Sequence, residues 1–200
     1  MIHDTIISIF AQMWPMILIC CVIIVSMRIT YILKYKVDFI LYKELFSLLF
    51  VIYVMCLFYV VTFQDVSWST SNFIPFKEIF RYEFGTKLFF KNVIGNMIMF
   101  VPFGFFVSYF LKIEKPITIF MLTIITSITI ETTQLVIGRV FDVDDILLNI
   151  IGSFIGFIIF YLLNNFKNKL PEILKKPIIY NILILIFIIL VIIYLGGLYV

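Results

Sequence analysis

ITIFMLTIITSITIETTQLVI, residues 117–137, holds one ionisable side chain, Glu131, among 21 residues. A helix needs roughly 20 mainly apolar residues to cross the hydrocarbon core of a bilayer. The stretch is therefore predicted to be a membrane span with a carboxylate inside it, about 10 Å from one end at about 1.5 Å of rise per residue. Working outward, comparable apolar runs fall at 6–26, 45–63, 92–111, 146–163 and 178–199. The whole chain has 200 residues, 64% of them apolar and 14% charged, and its mean hydropathy is +1.17. That composition excludes a water-soluble globular domain. The predicted fold class is all-α, a polytopic membrane helical bundle of about six transmembrane helices. Residues 1–63 would supply two N-terminal helices, 64–163 a core of one extracytoplasmic loop and three helices, and 164–200 a cytoplasmic loop and the last helix.

Charge sets the predicted direction of the spans. Arg28, Lys34, Lys36, Lys43, Lys112, Lys115, Lys167, Lys169, Lys175 and Lys176 fall on one side, ten basic residues against the five of Lys77, Arg81, Lys87, Lys91 and Arg139. The positive-inside rule then places both termini outside. A formal net charge of +3, scattered along the chain, leaves no nucleic-acid footprint, and no nucleic-acid partner is expected. The single histidine, His3, removes His-dependent triads, His-ligated zinc and haem. Cys20, Cys21 and Cys56 lie inside apolar runs and read as packing residues. The amino end, MIHDTIISIF, has no basic n-region and no small-residue cleavage site follows it, so the first segment is expected to stay. Ser67, Ser69 and Ser71 have neither a Gly-x-Ser-x-Gly elbow nor a histidine partner.

The longest outer connection begins QDVSWSTSNFIPF, where Trp68 suits the headgroup layer and Pro75 interrupts any helix. Its second half, KEIFRYEFGTKLFFK, mixes aromatic and basic residues and is predicted to be one helix lying on the membrane.

Polar residues converge at one level of spans three, four and five. Asn92 and Asn96 are four apart and share a helix face, and Pro102 is expected to kink the third span. Glu131 has Ser127 and Gln134 close by on neighbouring faces. Span four leaves through GRVFDVDDILLNIIGSFIG, which carries Arg139, Asp142, Asp144, Asp145 and Asn149. Gly152 and Gly156 follow at the spacing of closely packed helix pairs in lipid. The alternation of spans puts Asn92, Asn96, Glu131, Gln134, Arg139, Asp142, Asp145 and Asn149 in one layer facing the outer leaflet. No polar path through the inner half of the bundle is visible, and no transporter-type repeat.

Each of these residues also has a structural reading. Asp142 can cap span five, with Asp144 and Asp145 in its positive first turn. Arg139 can sit among headgroups, and Asn96 and Asn149 can be hydrogen-bond glue between helices. Glu131 can be a satisfied ion pair or a hydrogen-bonded acid, although intramembrane carboxylates mark function by default.

NFIPF at 72–76, NVIGNMIMFVPFG at 92–104, ETTQ at 131–134 and GRVFDVDDILLNIIGSFIG at 138–156 together resemble the VanZ-like family, named for the teicoplanin-resistance protein of glycopeptide-resistance clusters. The resemblance covers about half the chain, the 64–163 core, and leaves the first two spans and the last without support. It implies a multi-pass protein of the bacterial plasma membrane associated with reduced susceptibility to teicoplanin or related lipoglycopeptides. It supplies no agreed reaction and no catalytic residues.

Two functions of different class follow. In the first, an outer-leaflet site binds or modifies a lipid-linked anionic headgroup, such as a membrane lipid or a lipid-linked cell-wall intermediate. Glu131 and Asp145 would then be the catalytic pair, with Glu131 as acid or base, while Arg139 engages phosphate or carboxylate. Asn92, Asn96, Gln134, Asp142 and Asn149 would line the ligand. A divalent cation on Asp142, Asp145 and Glu131 fits the preference of hard cations for oxygen, but the EF-hand spacing is absent and neither metal nor cofactor is expected. In the second, a non-enzymatic membrane module binds a glycopeptide or lipoglycopeptide antibiotic, or a cell-envelope partner, and limits access to the target.

Overall fold

Long apolar runs dominate the architecture because a backbone in lipid must satisfy its own polar groups, and a helix does so within one segment. The computed structural model describes residues 2–63 and 71–197, with side chains described for 11–63 and 71–190. Trp68, Ser67 and Ser69 lie outside the described residues, as does the His3 side chain. The helices are α1 (Ile2–Tyr35), α2 (Leu41–Phe63), α3 (Lys77–Arg81), α4 (Lys87–Phe89), α5 (Gly95–Leu111), α6 (Pro116–Val136), α7 (Val143–Lys169) and α8 (Pro177–Gly197). A π-helical turn, Phe90–Ile94, joins α4 to α5, and a 3-10 turn, Glu172–Lys175, precedes α8. Among the described residues, Ala11–Tyr35, Leu41–Phe63, Lys87–Leu111, Pro116–Val136 and Val143–Lys169 are long and apolar enough to cross a membrane, and Pro177–Leu190 is a shorter apolar helix. The chain is an all-α, multi-pass membrane protein.

One stretch departs from expectation. KEIFRYEFGTKLFFK is not one helix on the membrane. It is divided at Gly85, whose φ of +84° suits glycine, into the single turn of α3 and a second turn, α4, that opens the third span. Thr86 caps that second turn by accepting from the Phe89 N–H (3.2 Å). Pro102 lies inside α5, which runs from Gly95 to Leu111. The departure from α geometry comes earlier, in the π turn that contains Asn92.

The chain divides into two units, residues 1–55 with 166–200, and residues 56–165. In the first, Arg28 on α1 forks onto Glu44 on α2, Nε to Oε2 and Nη2 to Oε1, both at 2.8 Å. Asn181 Oδ1 on α8 accepts from the Tyr42 N–H (3.0 Å), and the rings of Tyr42 and Tyr180 lie 5.4 Å apart.

In the second unit α5, α6 and α7 pack together. A Cβ on Gly104 of α5 would fall 1.9 Å from the Ser153 carbonyl oxygen of α7. One on Gly152 would fall 1.9 Å from the Met97 oxygen, and one on Gly156 2.1 Å from the Val101 oxygen. Small residues are what allow backbones to come this close in lipid. One end of the unit closes on Ile113, Ile119 and Phe157, with Phe103, Val107 and Leu122 against them. Gly138, at φ +86°, turns the chain sharply after α6, where the Arg139 N–H bonds back to the Gln134 carbonyl (2.8 Å).

Candidate functional site

The start of α7 organises the polar end of the second unit. Asp142 is its N-cap, accepting the Asp144 N–H on Oδ1 (2.9 Å). The same carboxyl oxygen accepts from Asn72 Nδ2 (2.9 Å). Asn72 also pairs by backbone across an isolated parallel bridge, with Asn72 N–H to Phe141 oxygen at 2.8 Å and Val143 N–H to Asn72 oxygen at 3.1 Å. Burial pushes the Asp142 carboxyl above the usual carboxylate range, against the opposing pull of the bonds from Asn72 and the Asp144 N–H.

Asp144 lies in the first turn of α7 as expected, and it does more there. It is 1% exposed and receives three backbone N–H groups from the 72–81 loop. Phe76 donates to Oδ1 (2.5 Å), and Glu78 (2.7 Å) and Ile79 (3.1 Å) donate to Oδ2. The carboxylate thereby caps the single turn of α3. It also holds Phe76 at φ +67°, a left-handed conformation that a bulky side chain rarely adopts.

Glu131 is 2% exposed. Its Oε2 accepts the Asp142 N–H (2.9 Å), which ties α6 to the start of α7. The Gln134 amide faces both Glu131 and Arg139. In the orientation that satisfies both, it donates to Glu131 Oε1 (3.1 Å) and accepts from Arg139 Nη1 (3.2 Å). Arg139 Nη1 also donates to the Val61 carbonyl near the end of α2, with the Val60 carbonyl at 3.5 Å. The last turn of α2 carries no basic residue of its own. Arg139 supplies the positive charge that the carbonyl end of the helix favours.

Asn96 of α5 donates to Asp145 Oδ1 of α7 (2.5 Å). Deeper, Asn149 of α7 donates to Ser127 Oγ of α6 (2.8 Å). Thr123 and Ser153 meet at 2.5 Å. Since Thr123 gives its own proton to the Ile119 carbonyl (2.8 Å), Ser153 is the donor of that pair. Ser108 on α5 is also fully buried. The helix interfaces beyond the polar layer thus hold buried hydroxyls that sequence reading did not single out. The reason is that serine and threonine hide among apolar neighbours in a hydropathy average.

These residues surround a cavity of about 430 Å³. Asn92, Asn96, Glu131, Gln134, Arg139, Asp142, Asp145 and Asn149 all line it. Asn72, Glu78, Arg81, Tyr82, Lys91 and Asp144, which lie outside the polar layer expected from the spans, line it too. The sequence carries a signal for them in NFIPF and in Lys91 beside Asn92, but nothing in the spacing of the loop points its side chains into the helix bundle. The lining mixes five carboxylates with three cations, Arg81, Lys91 and Arg139. Arg81 pairs with Glu78 at 3.0 Å, and both oxygens of Glu131 already accept protein hydrogen bonds. Among the described residues no group of three His, Cys, Asp or Glu side chains stands as a metal-ion cluster.

The family model described as VanZ/LLP1 matches residues 50–164, more than half of the chain and the whole of this cavity. The chain belongs to the VanZ/LLP1 family. It is similar to Protein VanZ of Enterococcus faecium, with 30% identity over 82 residues that cover 40% of this chain and 50% of that protein. It thus spans about half the length of the curated relative it matches. No solved structure matches it. The VanZ/LLP1 match takes in the last turns of α2 together with α3 to α7 and leaves α1 and α8 outside.

Proposed function

We propose that this VanZ/LLP1 protein acts in the bacterial plasma membrane to lower susceptibility to teicoplanin or related lipoglycopeptides. In this reading the cavity of the 56–165 unit binds or modifies a lipid-linked anionic headgroup at the outer leaflet. The supporting observation is convergence. Polar residues from the 72–82 loop, α5, α6, the 138–142 turn and α7 line a single cavity of about 430 Å³, within the size range of small-ligand pockets. Maintaining so many buried polar groups in a membrane protein is costly unless they act. Arg139 is the fixed cation, anchored on α2, and Lys91 and Arg81 are exposed cations on the same lining.

One observation favours the second reading, capture without chemistry. Glu131 has a protein donor on each carboxylate oxygen, which suits a fixed acceptor better than a proton shuttle. The deciding experiment is expression of the parent chain and of Glu131→Gln in a teicoplanin-susceptible bacterium at matched abundance. The expected result is a rise in the inhibitory concentration with the parent and a return to vector-only susceptibility with the variant. Full retention by Glu131→Gln removes the acid/base role and leaves capture, and no effect from the parent rejects the antibiotic reading.

Direction has its own test, single reporter cysteines at Val143 and at Glu172 in a background lacking Cys20, Cys21 and Cys56. An impermeant thiol reagent applied to whole cells is expected to label the first and spare the second. The reverse pattern would place the cavity on the cytoplasmic side.

A further inference from the structure

Asn149 is 3% exposed and lines the cavity. Its Nδ2 is bound to Ser127, while Oδ1 is a buried acceptor with no donor within the protein. A buried carbonyl left without a donor forfeits the hydrogen bond it would make in water. Asn149 also lies deep, six residues into α7, or about 9 Å from its start. Of the carboxylates beside it, Glu131 is supplied on both oxygens by the Asp142 N–H and Gln134, and Asp145 on Oδ1 by Asn96. One turn deeper than Asp145, the unpartnered Asn149 Oδ1 calls for a donor, and a neutral one, because Arg139 nearby disfavours an ammonium. Toward solvent the same lining carries Lys91, which has no ion pair or hydrogen bond among the described residues, and Arg81.

Resting on the headgroup reading above, we infer that the cavity takes a phosphate ester bearing a free hydroxyl, a polyol phosphate. The phosphate lies toward Lys91 and Arg81, and the hydroxyl donates to Asn149 Oδ1. Cations alone would select for charge, and a phosphomonoester carries more charge at neutral pH than a phosphodiester. Preference for a hydroxylated diester over a monoester therefore reports the donor and not the charge.

The test uses the purified full chain in detergent, titrated with short-chain phosphatidylglycerol, phosphatidic acid and phosphatidylcholine, with free glycerol 3-phosphate as competitor. Phosphatidylglycerol is expected to bind about fivefold tighter than phosphatidic acid, the worth of about one hydrogen bond. Asn149→Leu should abolish that preference. Ser127→Ala, which removes the structural partner and keeps the acceptor, should preserve it, and Lys91→Gln should weaken both anionic lipids alike. Competition by glycerol 3-phosphate identifies a soluble source for the ligand, and its failure identifies a lipid one. Equal binding of the two anionic lipids, or a preference that survives Asn149→Leu, means that the amide oxygen meets only water and overturns the inference while leaving the headgroup reading intact. Binding of neither above phosphatidylcholine rejects the headgroup reading itself.

Discussion

Gly152→Ala will lower the melting temperature of the detergent-solubilised protein, whereas Gly95→Ala will leave it unchanged or raise it. The two substitutions add the same methyl group to helices of the same unit. At Gly152 the new carbon would lie 1.9 Å from the Met97 carbonyl oxygen and 3.2 Å from the Phe100 Cβ. At Gly95 the nearest atom is the Phe90 oxygen at 3.6 Å, an ordinary contact. The Met97 oxygen belongs to the backbone of α5 and cannot swing aside, so α5 and α7 must separate. Overpacking of this kind costs about 1–3 kcal/mol, sometimes more, and outweighs the gain of about 1 kcal/mol from alanine's better helix propensity. Lipid offers no hydrophobic drive to restore the contact, because packing itself holds membrane helices together. Gly104→Ala is expected to behave like Gly152→Ala, since it meets the Ser153 backbone at the same distance. The measurement is thermal unfolding of the three variants beside the parent. Equal melting temperatures for Gly152→Ala and Gly95→Ala would show that the α5–α7 contact is not a determinant of stability.

That contact was only half legible in the sequence. Gly152 and Gly156 are four apart on one helix and signal a close approach by spacing alone, but their partner backbone, around Met97 and Val101, carries no mark. The cluster of Asn96, Glu131, Asp145 and Asn149 could be read because isolated polar residues in apolar runs are conspicuous, and alternation of spans then groups them toward one end, with Asn149 a turn deeper than Asp145. The 72–82 loop could not be read in the same way. Its contribution to the cavity depends on backbone N–H groups and on a left-handed Phe76, features that leave no periodicity. Asp144 shows the limit most clearly. In the sequence it is one of three acids around a helix start, and its neighbours Asp142 and Asp145 differ from it in nothing but position. In the fold Asp142 caps α7, Asp145 receives Asn96, and Asp144 points away from its own helix to hold another.

Removal of the Asp144 carboxylate will detach the 72–81 loop and leave the α5–α7 contact in place. Asp144→Ala strands three backbone donors, the N–H groups of Phe76, Glu78 and Ile79, at a site where the parent side chain is 1% exposed. Hydrogen bonds to a charged acceptor are worth about 1.5–3 kcal/mol each, so even partial rescue by water leaves a loss of about 3 kcal/mol or more from this local structure. Phe76 adds to the effect, because a non-glycine residue held at positive φ stores about 1–3 kcal/mol that only its surroundings maintain. Without Asp144 that strain relaxes by unwinding α3, and Glu78, Ile79, Arg81 and Tyr82 leave the cavity wall. Asp144→Asn should fall between, since one amide oxygen can still accept while the NH2 group opposes the remaining donors. The check is hydrogen–deuterium exchange of the reconstituted chain. Exchange at Phe76, Glu78 and Ile79 should accelerate strongly in Asp144→Ala and less in Asp144→Asn, with little change along α5 and α6. Binding of anionic lipid should weaken in the same order, because the wall that carries Arg81 is lost. Unchanged protection of those three amides in Asp144→Ala would mean that the loop is held by the Asn72 bridge alone, and the carboxylate would then have no role in shaping the cavity.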